Sequence, residues 1–140
     1  MKILAFVPCE DIRPELGGKV TLIGATDGIA LDGSKVASWP VSLRAAGYLR
    51  FQVERSEPVP SEVMIRVTFG ETEVFITTVP IVVPRPDLPS SVSLGMVLVP
   101  VNGQGTIKFT YSFRKHGERS WDPFVFDVPV EVQNLPTKST

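Results

Sequence analysis

The sequence predicts an all-β protein, a single-domain β-sandwich of about eight or nine mostly antiparallel strands. Thirteen prolines and eleven glycines interrupt the 140 residues every few positions, so little room remains for an uninterrupted helix. Between these interruptions, Val, Ile, Thr and Phe alternate with polar residues, which is the period-two pattern of half-buried strands. Many short strands separated by turn residues are typical of a sandwich or barrel.

Four runs carry the clearest alternation, and their apolar positions predict the core. Residues 107–114 place aromatic and aliphatic side chains on one face and polar ones on the other, and residues 48–53, 63–69 and 124–132 repeat the pattern. Weaker strands are expected at residues 2–7, 19–25, 74–83 and 92–101. The expected shared core comprises Phe51, Val67, Phe69, Phe109, Tyr111, Phe113, Phe124 and Phe126.

Turn residues predict how the strands connect. Asn102-Gly103 suits a type I′ turn, which would join residues 92–101 and 104–114 in one long hairpin. Gly70-Glu71-Thr72 and His116-Gly117-Glu118 are expected at the tips of two further hairpins. Residues 32–46 show the least pattern, as in a loop or one short helical turn. One domain over residues 1–135 is expected, followed by a flexible tail at 136–140.

Charge and cysteine content exclude several classes of function. Fourteen basic against fifteen acidic residues leave a net charge of −1, without the basic excess that binding to a nucleic acid backbone requires. Cys9, the single cysteine, cannot form an internal disulfide. The N-terminal apolar run ends at Pro8, too short for a signal sequence, and no segment approaches the length of a membrane span. A cytoplasmic location without membrane partners is therefore expected.

The residues that carry catalysis or bind metals are scarce. His116, the single histidine, lies in a polar turn, where solvent exposure is expected rather than orientation within a cleft. Glu10 and Asp11 beside Cys9 should raise the pKa of its thiol and weaken it as a nucleophile. Neither a zinc cluster nor a closely spaced set of calcium ligands is recognisable. We expect no enzyme activity, no metal and no cofactor.

One run departs from ordinary strand patterning. Residues 92–101 are apolar on both faces, with Leu94, Met96 and Leu98 on one and Val97, Val99 and Val101 on the other. A sandwich strand normally has one polar face, so either a loop of the same chain or another molecule should cover the second one. The expected binding residues are Val97, Val99, Val101, Ile81 and Val83. Nearby prolines favour docking of side chains over strand addition.

The N-terminal stretch carries a resemblance. Cys9-Glu10-Asp11-Ile12-Arg13, then Gly17-Gly18-Lys19, then an apolar strand ending in Ile23-Gly24 resembles a family of small uncharacterised bacterial and phage proteins. The resemblance covers the first twenty-five residues; it implies a β-sandwich and assigns no activity. Read from its residues, the stretch is a strand, a charged turn and a second strand, with Asp11 and Arg13 able to pair.

Two hypotheses on function follow. The first is a non-catalytic module that binds a protein partner or assembles with itself. The second is a small-ligand-binding or hydrolytic site in the mouth of a barrel, built from Glu10, Asp11, Arg13 and Lys19. A concave pocket lined by those four residues would favour the second hypothesis, and a flat or protruding arrangement the first.

Overall fold

The computed structural model describes residues 1–134, and within them the chain forms ten strands and two short 3₁₀ turns. The strands are β1 (Lys2–Cys9), β2 (Asp11–Pro14), β3 (Val20–Ile23), β4 (Ile29–Asp32), β5 (Val41–Gln52), β6 (Glu62–Phe69), β7 (Thr72–Pro80), β8 (Pro89–Val101), β9 (Gly105–Arg114) and β10 (Phe124–Gln133). The 3₁₀ turns are Leu16–Gly18 and Gly33–Lys35. The expected tail at 136–140 lies outside the described residues.

The strands form two main sheets and a small hairpin. One sheet has three strands in the order β1-β5-β8, the other has five in the order β4-β10-β9-β6-β7, and β2 pairs with β3. All pairings in the described chain are antiparallel except that of β4 with β10. The predicted all-β sandwich is therefore confirmed, with one or two more short strands than expected.

The core lies between the two main sheets and is rich in aromatic rings. Phe6 of β1 packs on Phe109 of β9 with ring centroids 5.3 Å apart, and Phe51 of β5 packs on Phe113 at 5.1 Å. All eight predicted core residues belong to this cluster: five are fully buried, while Phe69, Phe124 and Phe126 pack partly buried against it. Such rings exclude large apolar areas from water, which is the main stabilising contribution of a core.

Two of the three expected hairpins are present. β6 and β7 join through Gly70-Glu71, where Gly70 has a φ of 60°, a conformation that glycine adopts without steric cost. β9 and β10 pair across the loop that contains His116 and Gly117.

The hairpin predicted at Asn102-Gly103 is wrong. β8 pairs with β5, whereas β9 pairs with β6 and β10 in the other sheet. Residues 102–104 therefore arch from one sheet to the other, and Gly103 lacks the positive φ of a type I′ turn. The physical reason is that β8 and β9 each have an apolar face, and stacking these faces across the core buries both.

The strand directions define two ends of the sandwich. The β6–β7 turn and the 102–104 connection lie at one end, which we call the hairpin end after the β6–β7 hairpin. Residues 81–88, which connect β7 to β8, lie at the opposite end with Met1 and the β9–β10 loop. The proline-rich part of 81–88 thus crosses between the two sheets.

Candidate functional site

The residues of the second hypothesis on function lie on the β2–β3 hairpin. Gly17 and Gly18 have φ values of 76° and 73°, and these left-handed conformations reverse the chain between the strands. The backbone N–H of Glu15 donates to the carbonyl of Lys19 at 2.7 Å, which closes the turn. The turn and the second strand expected in this stretch are therefore present, with β3 as the second strand.

The charged residues of this hairpin have local structural contacts. Asp11 accepts a hydrogen bond at Oδ1 from the backbone N–H of Ile12 at 2.8 Å. Among the ion pairs of residues 1–134 there is none between Asp11 and Arg13, the pairing that the sequence allowed. The side chain of Glu10 lies over Gly24, where a Cβ atom would come within 2.8 Å of the Glu10 Cγ. Gly24 also has a φ of 67°, so this glycine is required by both conformation and space.

The hairpin lies outside the main core. Alternation along β5 turns Ala45 and Gly47 inward and therefore Ala46 outward, yet Ala46 and its partner Cys9 are buried without belonging to the core cluster. Because β2 lies close to β5 and β8, we infer that the hairpin covers this patch of the small sheet from outside. Burial, and secondarily the charge of Asp11, raise the pKa of the Cys9 thiol.

This hairpin does not form a concave site. Glu10, Arg13 and Lys19 are exposed and Asp11 is half-buried, and none of them lines any of the four pockets described for this protein. The four residues thus lie on a covering hairpin, the protruding arrangement that the first hypothesis anticipates.

A second polar cluster links β6 to β9 at the end of the sandwich opposite the hairpin end. Arg114 donates from Nε to Glu62 at 2.5 Å, and the His116 Nδ1 lies 3.4 Å from the same carboxylate. Burial acts to raise the pKa of Glu62, but the hydrogen bonds from Arg114 and His116 outweigh it and hold the pKa below its usual range. The Ser61 hydroxyl accepts from the backbone N–H of His116 at 2.7 Å.

This cluster is arranged as a structural network. The His116 side chain is 86% exposed, so no enclosing walls orient its imidazole, and the Ser61 hydroxyl is bound to the peptide backbone rather than to the ring. A nucleophile needs its hydrogen bond to the base itself. Within residues 1–134, no group of three or more His, Cys, Asp or Glu side chains is placed to hold a metal ion.

The apolar segments of the first hypothesis require a correction. Val99 and Val101 are 0% exposed and belong to the core, while Val97, Ile81 and Val83 pack partly buried against it. The prediction that these residues form an outer binding face is therefore wrong for Val99 and Val101, and the cover is intramolecular. On β8, the apolar side chains that remain exposed are Met96 and Leu98, the neighbours of these valines in the chain.

A β-bulge causes this change of face. Ala45 of β5 pairs with Val97, but Gly47 pairs with Leu94, so Gly95 and Met96 of β8 together oppose one residue of β5. The extra residue shifts the alternation by one position. Val92 and Leu94 point inward before the bulge, and Val97, Val99 and Val101 do so after it. Apolar residues at both even and odd positions of β8 therefore point largely toward the core.

Three exposed large apolar side chains lie together at one open side of the sandwich. β7 and β8 are edge strands of their respective sheets, and a cleft between them is lined by Val74, Phe75, Leu94, Met96, Val97 and Leu98. We call this the β7–β8 cleft. Phe75 is 37% exposed, Met96 46% and Leu98 56%. Large apolar side chains clustered at an unpaired edge mark interaction surfaces more often than scattered ones do.

The cleft continues toward the hairpin end and becomes polar there. A second groove shares Val74 with the first, and Glu71, Asn102 and Gln104 line its far part. Each groove has a volume of about 570 Å³. No charged residue occurs in residues 88–107, so the β8 side of the whole cleft carries no formal charge.

The sequence analysis did not identify Phe75, Met96 and Leu98 as the solvent-exposed apolar residues of this surface. Strict alternation cannot anticipate a bulge, although a glycine inside a strand, here Gly95, is a recognised signal for one. A bulge also occurs on β7, where Val67 pairs with Phe75 and Thr68 with Glu73, leaving Val74 as the extra residue.

Comparison of the chain with protein-family models, with curated proteins and with solved structures finds no match. Among the described residues, no helix has the length and apolar character needed to cross a membrane. The function is therefore inferred from the surfaces of the molecule and their chemistry.

Proposed function

We propose that this protein is a non-catalytic protein-binding module that docks apolar side chains of a partner in the β7–β8 cleft. The observation that carries the proposal is the cleft itself, where Phe75, Met96 and Leu98 remain 37–56% exposed between two edge strands. Covering such side chains removes apolar area from water at about 25 cal/mol per Å². A partner that fills the cleft would gain most of its binding free energy from that burial.

Side-chain docking suits this edge better than addition of a continuous strand. Backbone pairing requires an uninterrupted row of free N–H and C=O groups, whereas bulges at Val74 and at Gly95-Met96 interrupt both edges near the centre of the cleft. Pro80, Pro89 and Pro100 remove further donors at the ends of β7 and β8. Bulges and prolines are the usual means by which native edges avoid indiscriminate strand pairing.

Site-specific photo-crosslinking tests this proposal. A photoreactive phenylalanine analogue at position 96 should crosslink the protein to a partner in a lysate of its source cells. The matched control is the same analogue at Val125, a residue of β10 with 50% exposure, similar to the 46% of Met96, in the other sheet and outside the cleft. Crosslinks from position 96 but not from 125 would support the proposal.

A second variant tests whether the crosslinks depend on apolar docking. Leu98→Lys places a charge in the cleft, where a bound partner would have to desolvate it, so crosslinking from position 96 should fall strongly. Val125→Lys should leave it unchanged. Equal crosslinking from both positions, or no effect of Leu98→Lys in a folded protein, would contradict the proposal.

We propose the cytoplasm as the location. Cys9 is free and buried, and its raised thiol pKa keeps it protonated and unreactive. A fold without disulfides suits a reducing compartment. Fractionation of source cells with antibody detection tests this, and recovery from a secreted or envelope fraction would contradict it.

A further inference from the structure

We infer that the partner in the β7–β8 cleft is a second copy of this chain, related by a two-fold axis that sets the edge strands of the two copies antiparallel. The inference rests on the proposed function and specifies its partner. In such an isologous contact the same patch of both copies meets itself, so the patch must be self-complementary. Three properties of the surface meet this requirement.

The first property is the absence of charge on β8. A charged residue near a two-fold axis would lie close to its own copy and repel it, and residues 88–107 contain none. Phe75, Met96 and Leu98 are apolar, so none of these three side chains carries a charge that has to be desolvated when it packs against the second copy. The net charge of −1 adds little long-range repulsion between copies.

The second property is a pair of opposite charges at the two ends of the edge strands. Glu71 lies in the turn before β7, and Arg85 lies in the connection between β7 and β8 at the opposite end of the sandwich. Both side chains are exposed. A two-fold axis across the middle of the strands brings Glu71 of each copy to the end where Arg85 of the other copy lies.

The third property is that these two charges have no ion-pair partner within residues 1–134. Their acidic neighbours are already paired, since Glu73 meets Arg66 at 2.9 Å and Asp87 meets Arg55 at 2.8 Å. Glu71 and Arg85 therefore stay available for two symmetric intermolecular pairs. These pairs would select the antiparallel arrangement, because a parallel one brings like charges together.

Charge reversal tested by sedimentation equilibrium decides the inference. The wild-type protein should show a reversible monomer–dimer equilibrium that weakens as salt is added. Glu71→Arg and Arg85→Glu should each weaken dimerisation about tenfold, because attraction becomes repulsion at two symmetric places. The double variant Glu71→Arg/Arg85→Glu should return to near the wild-type dissociation constant. Arg119→Glu, which makes the same charge change at an exposed residue of the β9–β10 loop outside the cleft, is the matched control and should have a much smaller effect.

Other outcomes overturn the inference and leave the proposed function distinguishable. A wild-type protein that stays monomeric at millimolar concentration, or a double variant as weak as the single ones, refutes the two-fold dimer. If position 96 then still crosslinks to a different protein, the cleft binds a heterologous partner and only the inference fails. Because the charge reversals change exposed side chains alone, they keep the test valid even if Leu98→Lys does not fold.

Discussion

Two adjacent substitutions on β8 test the position of the bulge. Val99→Lys and Leu98→Lys change neighbouring residues to the same side chain, but Val99 is 0% exposed and Leu98 is 56% exposed. The structure places Val99 opposite Leu43 on the inner face, and Leu98 opposite Arg44 on the outer face. Strict alternation from Leu94 would have assigned the opposite faces to these two positions.

The expected magnitudes differ widely. Val99→Lys loses about 1.5–3 kcal/mol of apolar burial and adds an unpaired buried ammonium group that costs several kcal/mol more. The sum is about 5 kcal/mol or more, comparable with the total stability of about 5–15 kcal/mol of a domain. Leu98→Lys in the monomer should change the free energy of unfolding by only about 0.5 kcal/mol, as is usual for surface positions.

Urea denaturation followed by circular dichroism and tryptophan fluorescence measures both values. The experiment is carried out at low protein concentration, so that association does not contribute to the apparent stability. We expect Val99→Lys to be largely unfolded and Leu98→Lys to unfold with a midpoint near that of the wild type. Equal destabilisation by the two substitutions, or a greater loss for Leu98→Lys, would refute the placement of the bulge.

Three further predictions concern the core and the hairpin. Phe109→Ala should lower the free energy of unfolding by about 3–5 kcal/mol, because the ring is 1% exposed and its removal leaves a cavity; a loss below ~1 kcal/mol in urea denaturation would contradict its core position. Burial raises the pKa of Tyr111 above its usual range, so its contribution to stability is complete below the unfolded-state pKa of about 10 and is lost as pH rises above it. Tyr111→Phe should reduce this alkaline loss and cost little at pH 7, because no hydrogen-bond partner of the hydroxyl occurs in the described chain; urea midpoints at pH 7 and at pH 10–11 measure both effects. Gly24→Ala should destabilise by about 1–2 kcal/mol at its left-handed φ, and Glu10→Ala in the same chain should recover part of the loss, since the Glu10 side chain occupies the space of the new methyl group; no recovery would contradict the proposed contact.

Local patterns predicted most of the strands and the core. The alternation in residues 107–114 gave the inward face of β9, where Phe109, Tyr111 and Phe113 are buried. Gly70-Glu71 marked the β6–β7 turn, because a tight turn requires a residue that tolerates positive φ. These features depend on a few neighbouring residues, so the sequence around them is sufficient.

The wrong predictions concern contacts between distant segments. Asn102-Gly103 is compatible with a hairpin turn, but the long pairings of β8 with β5 and of β9 with β6 place the two strands in different sheets. The prediction of Val99 and Val101 as surface binding residues was wrong for a related reason. Whether Val97 and Val99 point inward depends on the bulge at Gly95-Met96, which exists only through the register with β5.

The sequence by itself determined the all-β class, the aromatic core and the scarcity of catalytic groups, because these follow from composition and period-two alternation. Only the tertiary structure decided which side chains of β7 and β8 stay accessible. Strand order made both strands edges on the same side of the sandwich, and two bulges shifted the alternation there. Strand order and register arise from the competition of all strands for partners and burial, so no single segment contains them.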